Sequence, residues 1–342
     1  MLAQHRLRIA LGLLWLLDGA LQLQPYMFSR HFAAIVIGEN TMGGPNLLTP
    51  FIHHLALLEV SHRVAYDILF AFIQLGMGIA LIFWSKQTKI AKITLAISVV
   101  WALQVWVVGE GLGGLLFPQD TMAMNGAPGA ALIYAILALV LWPRDVPEDN
   151  SPSVAGSGLM GNYAPLLIWA LIWIGTGLLE LEHSNFAANA LGAQLRQAGS
   201  GEPSWIAFLD RGAASLLFGK GTEVAFLMLI VQAWIGYGAL REFSRKAALA
   251  TGIAVSLVYW VLGQNFGGLF TGQATDPNLG PVMVVFAFSL WPRARMLPMS
   301  QCSAPGVGQP LVLPTAGSIR ENDPAPSCRM IPREEAGSVD AL

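Results

Sequence analysis

The 342-residue chain is 54% hydrophobic and 12% charged, with a formal net charge of −2. A soluble surface needs roughly a quarter of its residues charged, so the composition excludes a pair of soluble domains and selects a polytopic membrane protein in a lipid bilayer. The near-neutral charge, with no basic run, excludes a nucleic-acid partner.

The N-terminus, Met-Leu-Ala-Gln-His-Arg-Leu-Arg ahead of an apolar run, imitates a signal peptide. No small-residue cleavage site follows, and a similar helix recurs in the second half, so it is expected to be a first span. A spanning helix needs about 20 apolar residues, fewer where it meets polar structure. On that criterion eight transmembrane helices are predicted. They cover 8–24, 64–84, 93–108, 130–142, 165–181, 224–240, 247–262 and 282–291. The expected fold is all-α.

A Gly-rich stretch occurs twice, after the third and seventh predicted helices. The first copy runs Trp106-Val-Val-Gly-Glu-Gly-Leu-Gly-Gly, the second Trp260-Val-Leu-Gly-Gln-Asn-Phe-Gly-Gly. A constant offset of 154 pairs Gly109 with Gly263, Gly113-Gly114 with Gly267-Gly268, Gln119 with Gln273, Thr121 with Thr275 and Gly126 with Gly280. In the first helix of each half an offset of 158 pairs Trp15 with Trp173, Gly19 with Gly177 and Gln22 with Glu180. Such spacing is too long for a solenoid and predicts a duplicated four-helix unit. Four spans is an even number, so the two repeats are expected to be parallel, about an axis along the membrane normal. The predicted organisation is a first repeat over 1–145, a linker over 146–162, a second repeat over 163–296 and a disordered cytoplasmic tail over 297–342.

Lys and Arg fix the expected orientation. Arg6 and Arg8 precede the first helix, Lys86, Lys89 and Lys92 separate the second and third, and Arg241, Arg245 and Lys246 separate the sixth and seventh. The Gly bends contain neither residue. Both termini are therefore expected to be cytoplasmic and both bends external, in a multi-pass protein of the cell membrane. Two long external loops, 25–63 and 183–222, carry amphipathic runs that are expected to lie as lids beside the bends. The two cysteines, Cys302 and Cys328, fall in the tail, which keeps thiolate chemistry out of the bilayer.

Ionisable residues in or near spans are costly to bury and mark candidate sites. Asp18 lies in the outer half of the first helix, Asp67 near the outer end of the second, and Glu110 opens the first bend. Glu180 closes the fifth helix, and Gln264 takes the place of Glu110 in the second bend. Together they outline a polar site opening outward. The structural alternative makes Asp67 and Glu223 carboxylates at helix N-termini, favoured by the dipole, and Asp18 a bond to a neighbouring helix. The second bend is expected to open toward water, as the first does. His53, His54, His62 and His183 would be the only metal ligands, but none stand three or four apart; interfacial histidines are the alternative, and no metal is expected. Gly109, Gly113, Gly114, Gly263, Gly267 and Gly268 are expected to form the bends by allowing positive φ and close helix approach.

The pattern Gly-Leu-Leu-Trp-Leu-Leu-Asp-Gly-Ala-Leu-Gln-Leu at 12–23 is followed by an external loop, a helical pair with a basic turn and a fourth span. It resembles the DoxX/DoxD-like group of bacterial membrane proteins, in tandem over about 8–145 and 163–295. That resemblance implies a subunit of a quinone-linked redox system, with quinone as cofactor and a redox partner subunit. It implies no catalytic residues, and whether the chain is an enzyme stays open. A small-solute transporter and a non-catalytic assembly protein are the alternatives.

Overall fold

The computed structural model describes residues 4–32, 49–115, 121–144 and 151–293. The predicted tail, the start of the linker, the middle of the first long loop and Gln119 lie outside the described residues. Among the described residues the fold is all-helical, apart from an isolated β-bridge between Pro143 and Gly158.

Every predicted span contains a helix. In chain order these are α1 (Gln4–Leu21), α2 (Thr49–Phe83), α3 (Thr88–Val108), α4 (Ala130–Val140) and α5 (Tyr163–Leu179). Two short helices, α6 (Ala190–Ala198) and α7 (Ser204–Leu216), precede α8 (Gly221–Leu240), α9 (Arg245–Val261) and α10 (Leu279–Leu290). Among the described residues, three helices are long and apolar enough to cross a membrane: Val60–Phe83 within α2, Thr88–Val108 and Gly221–Leu240. On α3, Ile93, Ile97, Val100 and Leu103 recur every three or four residues and are exposed. An apolar stripe turned outward is the surface that lipid covers.

The second helix begins earlier than its hydropathy predicts. α2 runs back to Thr49 through a kink at His62 (φ −131°, ψ 29°), so the amphipathic run of the first loop is continuous with it. Asp67 therefore has helix on both sides and is fully buried, which removes the reading of it as an ordinary first-turn carboxylate. Glu223 does lie in the first turn of its helix, α8.

Helix pairs in both halves meet backbone to backbone at small residues, the packing that membrane helices favour. A Cβ on Gly78 would stand 2.8 Å from the Gly12 carbonyl oxygen of α1. One on Gly236 would stand 3.0 Å from the Ala170 carbonyl oxygen of α5. A single core joins the halves. In it Trp15 packs tilted on Tyr134, ring centroids 4.5 Å apart, and Trp169 packs edge-on against Phe286 at 5.5 Å. Residues 1–296 accordingly form one compact unit, with α10 packed on both α1 and α4. At the basic end of the bundle, Arg8 donates to the carbonyls of Leu141 and Ser85 at 2.9 Å each, tying three helix ends together.

Candidate functional site

Each Gly-rich bend contains one turn of left-handed backbone. φ is +52°, +60°, +62° and +73° from Gly111 to Gly114, and +49°, +58°, +69° and +68° from Asn265 to Gly268. Four consecutive residues in this region are unusual, since each residue with a Cβ costs about 1–2 kcal/mol there. Tight packing against the following helix explains why the turn needs glycine. A Cβ on Gly113 would overlap the Pro128 carbonyl, and one on Gly267 would lie 2.6 Å from the Pro277 carbonyl carbon. Gly263 also has positive φ, whereas Gly109 is right-handed.

The same side chains secure both bends. Trp106 donates to the Pro128 carbonyl at 2.8 Å, and Trp260 to the Pro277 carbonyl at 2.7 Å. Glu110 accepts from the Ala131 amide at 3.0 Å, at the start of α4; Gln264 accepts from the Gly280 amide at 3.2 Å, at the start of α10. Thr121 and Thr271 donate to the carbonyls of Gly114 and Gly268. These contacts correct the constant offset. Gly280 occupies the place of Ala131, not of Gly126, and Thr271 that of Thr121, not Thr275. The first bend is longer after its left-handed turn, so its partners pair at 154 through that turn and at 149 by the next helix.

Each bend also reaches into the other half. Gln264 donates to the Ala123 carbonyl at 3.3 Å, and a Cβ on Gly263 would press on Met124. Gln264 itself is buried rather than facing water, although Phe270, Gly272 and Gln273 of the same bend are exposed. In return, Gln24 at the end of α1 donates to the Ala274 carbonyl at 3.0 Å, which brings Thr275 and Asp276 over the first half. The α7 segment packs on the second bend, as the lid reading expects: Asp210 accepts from the Gly263 amide and Trp205 stacks on Phe266.

Under the first bend lies a cavity of about 130 Å³. Asp18 and Glu110 both line it, as the sequence suggests. It is completed by Gln22, Gln74, Tyr134 and Asp276, with aromatic walls from Trp15, Phe70 and Trp101. Among the described residues that line it there is no Lys, Arg or His. Asp67 stands just behind it, accepting from Gln22 at 3.4 Å. Phe70, Trp101, Gln104 and Val105 are at least partly exposed, so the cavity reaches the flank of the bundle between α2 and α3. Glu110 is held protonated near neutrality: burial and the Asp276 carboxyl raise it to about 8, partly opposed by the α4 amides. Burial also raises Asp276.

Several polar atoms around this cavity are buried without a hydrogen-bond partner. They are Asp18 Oδ1, Gln74 Oε1, Trp101 Nε1 and the Tyr134 hydroxyl, with Asp67 Oδ2 behind them. Tyr134 lies beside Asp18, but neither that hydroxyl nor Asp18 Oδ1 completes a bond of ordinary geometry. The corresponding positions of the second half look different. Thr176 donates to Gln232 at 2.8 Å, and Gln232 donates to Glu180 at 2.8 Å and to the Tyr259 hydroxyl at 3.2 Å. The cleft beside Thr176 and Gln264 has shrunk to about 10 Å³. Glu180 and Gln264 therefore do not join Asp18 and Glu110. Glu180 faces a separate apolar cavity of about 240 Å³. Unsatisfied buried polar groups cost about 1–3 kcal/mol each, so a group of them around a void points to something that enters it.

Among the described residues no cluster of three His, Cys, Asp or Glu side chains is disposed to hold a metal. His62 pairs with Ser61 at 2.7 Å, and His183 opens a four-residue helical turn, His183–Phe186. Gln74, Tyr134 and Asp276 were not singled out from the sequence. An amide and a phenol in apolar helices are common, and Asp276 sits in a Thr-Asp-Pro-Asn stretch that reads as a turn. Comparison with known families, curated proteins and solved structures finds no match to the chain.

Proposed function

We propose that the chain is a multi-pass membrane protein whose first half binds the head group of a lipid-soluble quinone, as the membrane subunit of a quinone-linked redox system. It crosses the bilayer eight times as two parallel four-helix repeats, with both termini cytoplasmic and the bends external. The contacts shared by the two bends support the repeat, and the basic loops support the orientation.

The observation that carries the functional reading is the contrast between halves. In the second half Thr176, Gln232 and Glu180 are hydrogen-bonded to one another, leaving Trp173 Nε1 and Ser256 Oγ unpaired beside a cleft of only about 10 Å³, whereas in the first half Asp18, Gln74, Trp101 and Tyr134 hold unpaired atoms around a void of about 130 Å³. Three features favour a quinone. At about 130 Å³ the cavity is slightly smaller than one of about 150 Å³ that admits benzene, so it suits part of one ring whose substituents extend toward the open flank. Its aromatic walls suit a flat ring. Its reach to the lipid-facing flank gives a membrane-dissolved ligand a way in. Asp18 and Glu110 would then accept or return the ring's protons, while Gln74 and Trp101 orient its oxygens. The electrons require a partner subunit, because nothing in the sequence carries a haem, iron–sulfur or dinucleotide motif.

Quinone should be extracted with the protein purified in mild detergent, and Asp18→Asn should keep its folded yield yet lose most of that quinone. Wild-type protein that neither retains quinone nor binds an added short-chain analogue would overturn the reading. A second reading, transport of a small organic cation, is favoured by the three carboxyls with no lining cation and by the aromatic faces. Displacement by an alkylammonium, with no displacement by quinone, would select it.

A further inference from the structure

The buried cavity shares a wall with a second one. That second space, about 370 Å³, lies at the bend itself, against Thr121, Asn125, Gly126 and Asn278. The two cavities have three lining residues in common: Glu110, Ala130 and Asp276. Ala130 offers only a methyl group, so the polar part of the partition consists of two carboxyls.

We infer that Glu110 and Asp276 form a proton port between the membrane-buried cavity and an external vestibule at the bend. The inference rests on the proposed reading for its direction, since it places the vestibule outside and a proton-bearing ligand inside. In each passage a proton leaves a donor in the cavity, binds a port carboxylate and is released to vestibule water. No electron moves in the step.

Both carboxyls are fixed in place. Glu110 is held by the Ala131 amide. Asp276 accepts from the Asn278 amide at 2.6 Å and from the Thr275 hydroxyl at 2.8 Å. The titratable groups facing them are Asp18 from α1 and Tyr134 from α4, and no basic group is among their electrostatic neighbours. Without a cation to pin them ionised, burial raises both carboxyls, Glu110 to about 8, so that Glu110 can hold and release a proton near neutral pH. The second half provides an internal control. Gln264 stands where Glu110 does, and Ala127 occupies the position equivalent to Asp276 in the other bend; neither side chain can ionise.

The test needs no quinone. Full-length protein is reconstituted, the external pH is jumped from about 6 to about 9, and carboxyl titration is followed in the infrared. The signal of Asp18 is identified as the part removed by Asp18→Asn. In the Glu110→Gln, Asp276→Asn double variant, titration of Asp18 should be at least about tenfold slower than in wild type. The Glu110→Gln, Asp276→Glu variant, which keeps one port carboxyl, should retain most of the wild-type rate, so that the loss belongs to the carboxyls and not to the fold. An unchanged rate in the double variant would overturn the port, as would an Asp18 that does not titrate from outside at all. A slowed rate in protein that binds no quinone would leave the port standing and remove only the proposed ligand.

Discussion

Glu110 joins two roles in one side chain: it closes the start of α4 and stands in the partition between the two cavities. The roles separate by mutation. Gln264 makes the same cap without a charge, so at about pH 4, where the Glu110 carboxyl is protonated, Glu110→Gln should leave thermal stability near wild type. Glu110→Ala should cost about 1 kcal/mol by freeing the Ala131 amide, visible as a lower melting temperature in detergent. Its titration also gives stability a pH dependence. The folded-state value of about 8 exceeds the usual 4.5, so the folded protein binds more protons than the unfolded chain between those values. Stability contributed by this group is full below about pH 4.5 and is lost as pH rises through about 8. Melting temperature should fall over that window, and the fall should be shallower in Glu110→Gln. Gln264→Glu should be destabilising rather than neutral, since it sets a carboxylate against the Ala123 carbonyl in a buried position.

The left-handed turn is the element on which the bend depends. At Gly113 both the backbone sign and the space forbid a side chain. Gly113→Ala should therefore cost at least about 2 kcal/mol, read as reduced folded yield by gel filtration. Leu112 has the same handedness with a side chain already present, so Leu112→Gly should be nearly neutral or stabilising. Much of this was legible. Paired glycines between apolar runs announce a bend, and a carboxylate such as Asp18 stands out in an apolar helix. The five-residue difference between the bends was not, because a loop insertion leaves the flanking helices in register with their own partners and shows no break in hydropathy. Asp276 was hidden for another reason: its approach to Asp18 and Glu110 is set by packing of one half on the other, which local composition does not encode.

Across the whole molecule, the positive charges of the short loops, on Lys86, Lys89, Lys92, Arg241, Arg245 and Lys246, gather at the end opposite the bends, while Arg30, Arg63, Arg196, Arg211 and Lys220 lie in the two long loops beside the bends. With Cys302 and Cys328 replaced by serine, single cysteines at Asn125 and Gln273 should react with a membrane-impermeant reagent from outside, and those at Gln87 and Glu242 should not. All four positions are exposed, so burial does not confuse the result. External labelling at Gln87 would reverse the orientation. The reciprocal roofing described above, in which each half's cavity is closed by the other half's bend, has a consequence for how the gene can be divided. A chain cut in the linker near residue 150 would yield two fragments, each with an open upper surface of unpaired backbone and exposed methionine or carboxylate. Expressed separately, both should be degraded; expressed together, they should recover one another as a stable complementing pair.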